Sequence, residues 1–560
     1  MKSLQLSKVL VSIMVLLLVI FISRLVDQRF DLTADGRYTL APEAGQMVSL
    51  IDEPIIITSF LEGNVPSSFR HFQSYIEDYL LELRRYNPYL EVIYKDVSEG
   101  TDEDRREAQE YLASNGVIPL SRQVTSEEEV SQQLVYPYLS VHTTDRITFV
   151  NLLEQASIQS SEEESLISAQ IAFESKLLRA IRQVVRKNSP NVYLIGASAG
   201  LIAEGASRDS RLNKYNYQAV DADLLLDQVN EADVVVSLVK RADQSREELL
   251  AIDVAASRGV PVLWAIDKTS ITLDSFRRTG NFLAIAEDYK VEDYLYKMGV
   301  RISPDLIMDI QSSRIPQIVN PGSETPQAEL YKYPFHPILL SDDNTPVISR
   351  LSNPLSTYFV SSIDILEYPK TVKKESILLT SEYTQKVATP ALLDFQFMQQ
   401  APRAEDYNKG SQCIGAMLEG RIKPYFINRL TKEDVDFLAN HNLKYDTDSQ
   451  YIHQVVISDM DWLSPQKDFN GKYNPIGYNP YDGQMYDANA DLFVRLLEYL
   501  IDGDDLLKLS DKQSAISFLD RQRLAAHRIT YDAILIALPL TVLLIIYLAY
   551  HYIRRKRYAG

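Results

Sequence analysis

The chain has 560 residues, with 57 lysines and arginines against 76 aspartates and glutamates, a formal net charge of −19 and a single cysteine, Cys413. An excess of negative charge of this size excludes a nucleic-acid partner held by phosphate neutralisation and reads as an acidic solvated surface. One cysteine excludes an intramolecular disulfide and a cysteine-based zinc cluster, and the length implies two or three domains.

Residues 1–27 carry Lys2 and Lys8 ahead of an apolar run from Val9 to Ser23, with no small-x-small cleavage site after it. This pattern predicts an uncleaved N-terminal transmembrane anchor. Residues 28–155 then begin with a turn at Thr33 and Asp35-Gly36 and a short helix over Ala41 to Leu50. Ile55 to Leu61 reads as a strand, Pro66 to Tyr86 as a helix, and Leu90 to Tyr94 as a second strand. Thr101 to Asn115 reads as a helix opened by a Thr101-x-x-Asp104 cap, and Tyr136 to His142 with Arg146 to Asn151 as an antiparallel pair. Strand, helix, strand, helix and two strands is the order of a thioredoxin-like layer. It lacks the CxxC that redox catalysis would need, so the layer reads as a scaffold.

A helical connector is expected over 156–189, with Ser160-x-x-Glu163 as its cap. Residues 190–503 follow as a second α/β domain. Its strands are expected at Asn191 to Ile195, Tyr217 to Val220, Asp233 to Val239 and Val260 to Ile266, with a helix over Ser245 to Arg258. Short apolar runs alternating with amphipathic helices imply a mainly parallel sheet covered on both faces. A loop-rich insertion is expected at about 310–370, because Ile315 to Asp364 is rich in Pro, Asn and Ser. Strands resume at Ile377 to Thr380, Cys413 to Met417 and Gln454 to Ser458, and Ala490 to Leu500 reads as a helix. A membrane-proximal charged helix is expected over 504–530. The run from Ala533 to Tyr550 has no charge and precedes Arg554, Arg555, Lys556 and Arg557. About 20 apolar residues suffice to cross the hydrocarbon core. Residues 531–552 therefore read as a C-terminal transmembrane helix and 553–560 as a basic cytoplasmic tail. The two spans place the chain in the cytoplasmic (inner) membrane and its lipid bilayer, with both termini cytoplasmic and the main domains periplasmic.

Three stretches invite a chemical reading. Gly196-Ala197-Ser198-Ala199-Gly200 fits G-x-S-x-G after a strand, where a nucleophilic Ser198 would need a histidine, and His336, His441 and His453 follow in the chain. The alternative is that small residues let the chain turn tightly above a parallel strand, with Gly205 as a partial echo of G-x-G-x-x-G. A metal reading would gather His453, Asp459 and Asp461 at a strand end, where aspartates more often cap a turn. The segment from Phe469 to Tyr486, densest in tyrosine from Tyr473 to Tyr486, suits either an interface or a turn-rich loop packed on its own domain.

Four segments carry a family resemblance: RFDLTADGRYTL at Arg29 to Leu40, GVRISPDLIMD at Gly299 to Asp309, YNKGSQCIGAMLEG at Tyr407 to Gly420, and the run from Pro475 to Gly503. In these the chain resembles the gliding-motility-associated family of ABC transporter auxiliary, or substrate-binding, proteins, the GldG family. The resemblance implies a thioredoxin-like domain followed by a degenerate class I glutamine amidotransferase-like, flavodoxin-like domain, flanked by N- and C-terminal transmembrane helices. It implies as partners an ABC transporter permease and its cytoplasmic ATPase. The amidotransferase nucleophile, histidine and glutamate have no counterparts here, because Cys413 lies on a late strand.

No catalytic residue, cofactor or metal is therefore assigned. The expected role is a non-catalytic subunit of an ABC transporter complex serving gliding motility or associated export, with a protein or glycan as ligand. The sequence has no Walker A pattern, so ATP hydrolysis falls to another chain. Two other readings remain: a serine hydrolase using Ser198, and a purely structural tether.

Overall fold

Pro at the first helical position is pre-set for a helix start, and Pro42 opens α1 (Pro42–Ser49) in this way. The computed structural model describes residues 40–503 other than 64, 126–129, 154–161, 210, 241–243, 270, 272–280, 319–326, 342–344, 352, 395–402, 404 and 467–471, together with 537, 541, 544 and 547–551. By its contacts the chain divides into Tyr38–Asp511 and a unit formed by Met1–Arg37 with Lys512–Gly560. In the latter, the described positions are helical. All that follows concerns the former.

The first layer follows the expected element order: β1 (Ile55–Ser59), α2 (Ser67–Arg84), β2 (Leu90–Tyr94), α3 (Asp102–Ser114), and later β5 (Tyr138–His142) and β6 (Ile147–Asn151). The hairpin β3 (Leu120–Thr125) and β4 (Val130–Val135), not expected from the sequence, comes between. These two strands pair only with each other, so they need no apolar alternation to mark them. The four-stranded sheet runs β2-β1-β5-β6, with β1 parallel to β2 and antiparallel to β5. Thr101 and Asp104 form the predicted capping box at the start of α3. α2 buries Phe69, Phe72, Ile76, Leu80 and Leu83 on one stripe and sets Tyr75 and Tyr79 against Phe173 of α4 (Glu162–Val185). α4 contributes Phe173, Leu177, Ile181 and Val184 to the same core.

A second, seven-stranded sheet holds β7 (Asn191–Gly196), β8 (Asn216–Val220), β9 (Val234–Val239), β10 (Val262–Ile266), β18 (Val372–Leu379), β21 (Cys413–Ile422) and β22 (Gln450–Ile457). Its order is β18-β21-β22-β10-β9-β7-β8. The strands from β22 to β8 are parallel, whereas β21 is antiparallel to β22 and to β18. From β7 the chain steps outward to β8 and then back across to β9, so the winding reverses between β7 and β9. Ligands in open α/β sheets bind at the carboxyl ends of the strands at such a reversal. α5 (Ala199–Arg208), α6 (Ala222–Asp227), α7 (Arg246–Ser257), α8 (Lys290–Met298), α9 (Lys432–Asn440) and α10 (Ala488–Asp502) accompany this sheet. β9 and β10 are buried at every residue, which is why they read as unbroken apolar runs.

Between β10 and β21 lies a region richer in strands than expected. It contains β11 (Asn281–Ala284), β12 (Val300–Ile302), β13 (Asp305–Asp309), β14 (Ser312–Ile318), β15 (Ala328–Leu339), β16 (Leu355–Ser356), β17 (Ile363–Ile365), β19 (Thr384–Ala388) and β20 (Ala391–Asp394). Apart from β14, β15 and β16, which pair together, these strands form two-stranded antiparallel sheets. β15 is 12 residues long and includes Pro334 and Pro337. Proline ordinarily marks a loop or an edge, and this concealed the strand.

The expected membrane placement is corrected. Among the described residues no helix is long and apolar enough to cross a membrane, which overturns the two spans and with them the inner-membrane location, the cytoplasmic termini and the periplasmic main domains. A span needs length and continuous apolarity together. α4 has 24 residues but carries charges throughout, and α10 is more apolar but has 15. The first span, Val9 to Ser23, and the helix expected over 504–530 lie outside the described residues, as do most positions from Ala533 to Tyr550.

Candidate functional site

Three strands of the parallel sheet end on a charge: Lys240 follows β9, Asp267 follows β10, and Asp459 stands two residues beyond β22. Lys240 Nζ lies 2.6 Å from Asp267 Oδ2 and donates to Asp461 Oδ1 and Oδ2 at 2.8 and 2.7 Å. Met460 N–H donates to Asp267 Oδ1 at 2.5 Å. Asp459 is fully buried and accepts from Tyr358 N–H at 2.8 Å and Trp462 N–H at 3.2 Å. Burial pushes the Asp267 carboxyl up to about 6, with Lys240 opposing and Asp461 adding to the rise. Burial, then the charges of Asp267 and Asp461, hold Asp459 well above the usual carboxylate range. Burial pulls the Lys240 ammonium down, but Asp267 and Asp461 outweigh it and hold it above the lysine range. A lysine kept charged in this way is neither a nucleophile nor a base, and the cluster serves as a rivet. The chain itself lies over it: besides the Tyr358 contact, Ser458 Oγ donates to Ser361 O at 2.5 Å. The β10–β22 side of the carboxyl edge is thus filled by the segment around 358–361.

On the β7 side, Ser198 is exposed and stands at the N-cap of α5 with φ +59°, making no side-chain cap bond. The preceding Gly196 has φ +103°, and a Cβ there would lie 2.3 Å from Leu238 O. That close approach of β7 to β9 explains one of the small residues. The histidines do not converge on Ser198. His441 sits after α9, with Nδ1 2.7 Å from Asp227 Oδ1 and Nε2 3.1 Å from Asp223 Oδ1. His453 lies within β22, 3.6 Å from Glu419. His336 is buried among the rings of Tyr333, Tyr358, Phe359 and Tyr481. Nor does His453 join Asp459 and Asp461: Asp461 turns to Lys240, and Asp459 accepts from backbone N–H groups. Among the described residues no group of three or more His, Cys, Asp or Glu is placed to hold a metal. Cys413 begins an antiparallel strand, and burial pushes its thiol up, away from the thiolate a nucleophile needs.

The tyrosine-rich segment divides between its two readings. Ile476 and Asn479 are fully buried, and Tyr481 packs 5.9 Å from the ring of His336. Tyr473 and Met485, at 38% and 39% exposure, instead face a cleft of about 1060 Å³. α5 and α10 supply much of its wall, with Arg179 of α4 and Lys214 among the other lining residues. Its charges are largely matched within it: Arg211 bonds Asp209 and Asp487, and Arg208 pairs with Glu204. Gly205 lets α5 approach Pro465, to whose Cγ a Cβ would come within 2.3 Å. Its role is packing, with no part in a phosphate loop.

The sequence reading missed the Lys240 cluster, although charges directly after the apolar runs DVVVSLV and VPVLWAI were a visible signal. It also missed the cleft, which only the return of α10 beside α5 creates.

This geometry defines a mixed α/β protein with a filled carboxyl edge and a large polar cleft on the α5–α10 side. Residues 191–495 match the family described as an ABC-type uncharacterized transport system, and residues 34–142 match a domain of unknown function. The chain belongs to this family of ABC-type transport-system auxiliary components. No curated protein matches it. Solved structures similar to it include the mmIFT52 N-terminal domain, at 11% identity over 56% of this chain and 98% of that one with a TM-score of 0.30. Another is a thua-like protein from Bacteroides uniformis, at 9% identity over 56% of this chain and 93% of that one with a TM-score of 0.25.

Proposed function

We propose that this chain is a non-catalytic auxiliary subunit of an ABC transport system that uses the cleft beside Tyr473 and Met485 to bind a protein or glycan. The observation that carries this reading is the cleft of about 1060 Å³, lined by charged side chains and bordered by a half-exposed tyrosine. Aromatic rings with a polar tip are favoured where one chain meets another molecule. The permease and the ATPase are the natural partners, because the sequence carries no Walker A loop. In the finer form of this reading, the first layer is thioredoxin-like, the second is a degenerate amidotransferase-like sheet, and the system serves gliding motility or associated export.

Affinity purification of the tagged chain in mild detergent tests the reading. The permease and ATPase are expected to co-elute, and Tyr473→Ala combined with Met485→Ala is expected to reduce ligand or partner recovery with the fold intact. Elution of the chain alone, or full recovery with the double variant, counts against it.

A further inference from the structure

A second cavity, of about 480 Å³, lies where the first layer meets the second sheet. Five cations line it: Arg146 from the β5–β6 turn, Arg179 and Arg182 from α4, Arg186 directly after it, and Lys214 before β8. Three carboxylates accompany them, and one of these, Asp145, is exposed on the turn. Glu498 is buried and takes both Arg179, at 3.0 Å, and Lys214, at 2.9 Å. Asp502 takes both Arg182, at 3.3 Å, and Arg186. Each of these two carboxylates is therefore shared by two cations. Arg146 donates instead to the carbonyls of Arg186 and Lys187, at 2.6 and 2.5 Å, which orient its guanidinium without neutralising it.

Cations gathered in a recess without matching counter-charge repel one another unless an anion joins them. That imbalance stands out in a chain of net charge −19. Guanidinium forks suit the oxygens of phosphate and carboxylate, and charge-assisted bonds of this kind are the strong ones. The volume lies within the range of small-ligand pockets.

We propose that this cavity binds a small polyanion, a phosphate or diphosphate group either free or carried on a small molecule, held by Arg146, Arg182 and Lys214. Such a ligand bridges the β5–β6 turn to α4 and to the approach to β8, and so ties the two layers together when it is present. The cavity adjoins the cleft beside Tyr473 and shares Arg179, Lys214 and Glu498 with it, whereas Arg146 and Arg182 line this cavity alone, so the Arg146 variant tests the proposal independently of the transport reading.

Calorimetric titration of the full chain with inorganic pyrophosphate, at ionic strength matched with sodium chloride, tests the proposal. Saturable binding is expected, weakened at least tenfold in Arg146→Gln and in Lys214→Gln and declining as salt rises. Asn188→Asp supplies the missing counter-charge at an exposed lining position without removing any existing contact, so it is expected to weaken binding tenfold while circular dichroism stays unchanged. Titrations with inorganic phosphate and with a nucleoside monophosphate separate a free anion from a carried one: equal affinities identify the group itself as the ligand, and tighter binding of the nucleotide identifies the carrier. Heat no greater than that of the salt control, or pyrophosphate affinity unchanged in Asn188→Asp, overturns the proposal.

Discussion

Lys240 and Asp267 stand at the ends of neighbouring parallel strands, with Nζ 2.6 Å from Oδ2, and Asp461 closes on the same ammonium from beyond β22. This contact ties together three strands whose carboxyl ends would otherwise face an open edge. Lys240→Met leaves Asp267 and Asp461 without their shared cation in a buried setting. Breaking a buried pair from one side costs about 3–5 kcal/mol. Urea denaturation is expected to show a loss of that order, with part of it restored in Lys240→Met combined with Asp461→Asn. A change below about 1 kcal/mol would show the pair to be no stronger than an exposed one.

His441 gives a pH dependence with a definite sign. Its hydrogen bond to Asp227, then the charge of Asp227 and the contact with Asp223, raise its pKa above the ordinary histidine value, against a smaller effect of burial. A group whose folded pKa is raised binds its proton more tightly in the native state, so it adds stability below the unfolded value and loses it as pH rises through the folded value. His441→Gln is therefore expected to lower the urea midpoint at pH 6 and to leave it nearly unchanged at pH 9. Equal effects at both pH values would contradict the ion pair.

Ser198 holds a left-handed backbone at φ +59°. An L-residue there carries a penalty of about 1–2 kcal/mol, which glycine avoids at some entropic cost. Ser198→Gly is expected to be neutral or to stabilise by up to about 1 kcal/mol. Ser198→Ala should leave co-purification with transport components unchanged, and a fluorophosphonate probe should not label the protein. Labelling at Ser198 would revive a hydrolase.

Gly205→Ala places a methyl group against Pro465. Gly205 and Pro465 both line the cleft, so it should change shape. The expected outcome is partner or ligand recovery reduced severalfold with a melting temperature lowered by only a few degrees. Unfolding of the variant would mean that the contact holds the domain as a whole.

Much of the scaffold was legible because its signals are local. The apolar runs at β9 and β10, the Thr101 cap and the helix expected from Ser245 all mark elements where the structure has them. The strand-rich insertion was less legible, because Pro316, Pro334 and Pro337 fall inside β14 and β15. The sites were hidden for a different reason. Arg179, Arg182 and Arg186 stand more than 300 residues before Glu498 and Asp502 in the chain, and nothing local in the sequence joins them. Only the packing of α4 beside α10 reveals that these charges face one another. Asp459 and Asp461 were singled out, but Lys240, the partner of Asp461, is remote in sequence and follows another strand. The expected spans illustrate the converse: an apolar run meets one requirement of a membrane helix, and among the described residues none meets them all.

The long helix α4 brings Phe173, Leu177, Ile181 and Val184 into the first layer while its Arg179 and Arg182 grip α10. A fragment ended at the last strand of that layer, Asn151, would strip these four side chains from its core and uncover Tyr75 and Tyr79, whose rings pack on Phe173. Proteolysis should accordingly yield no stable small piece ending there, and the shortest N-terminal fragment able to fold has to run through Val185.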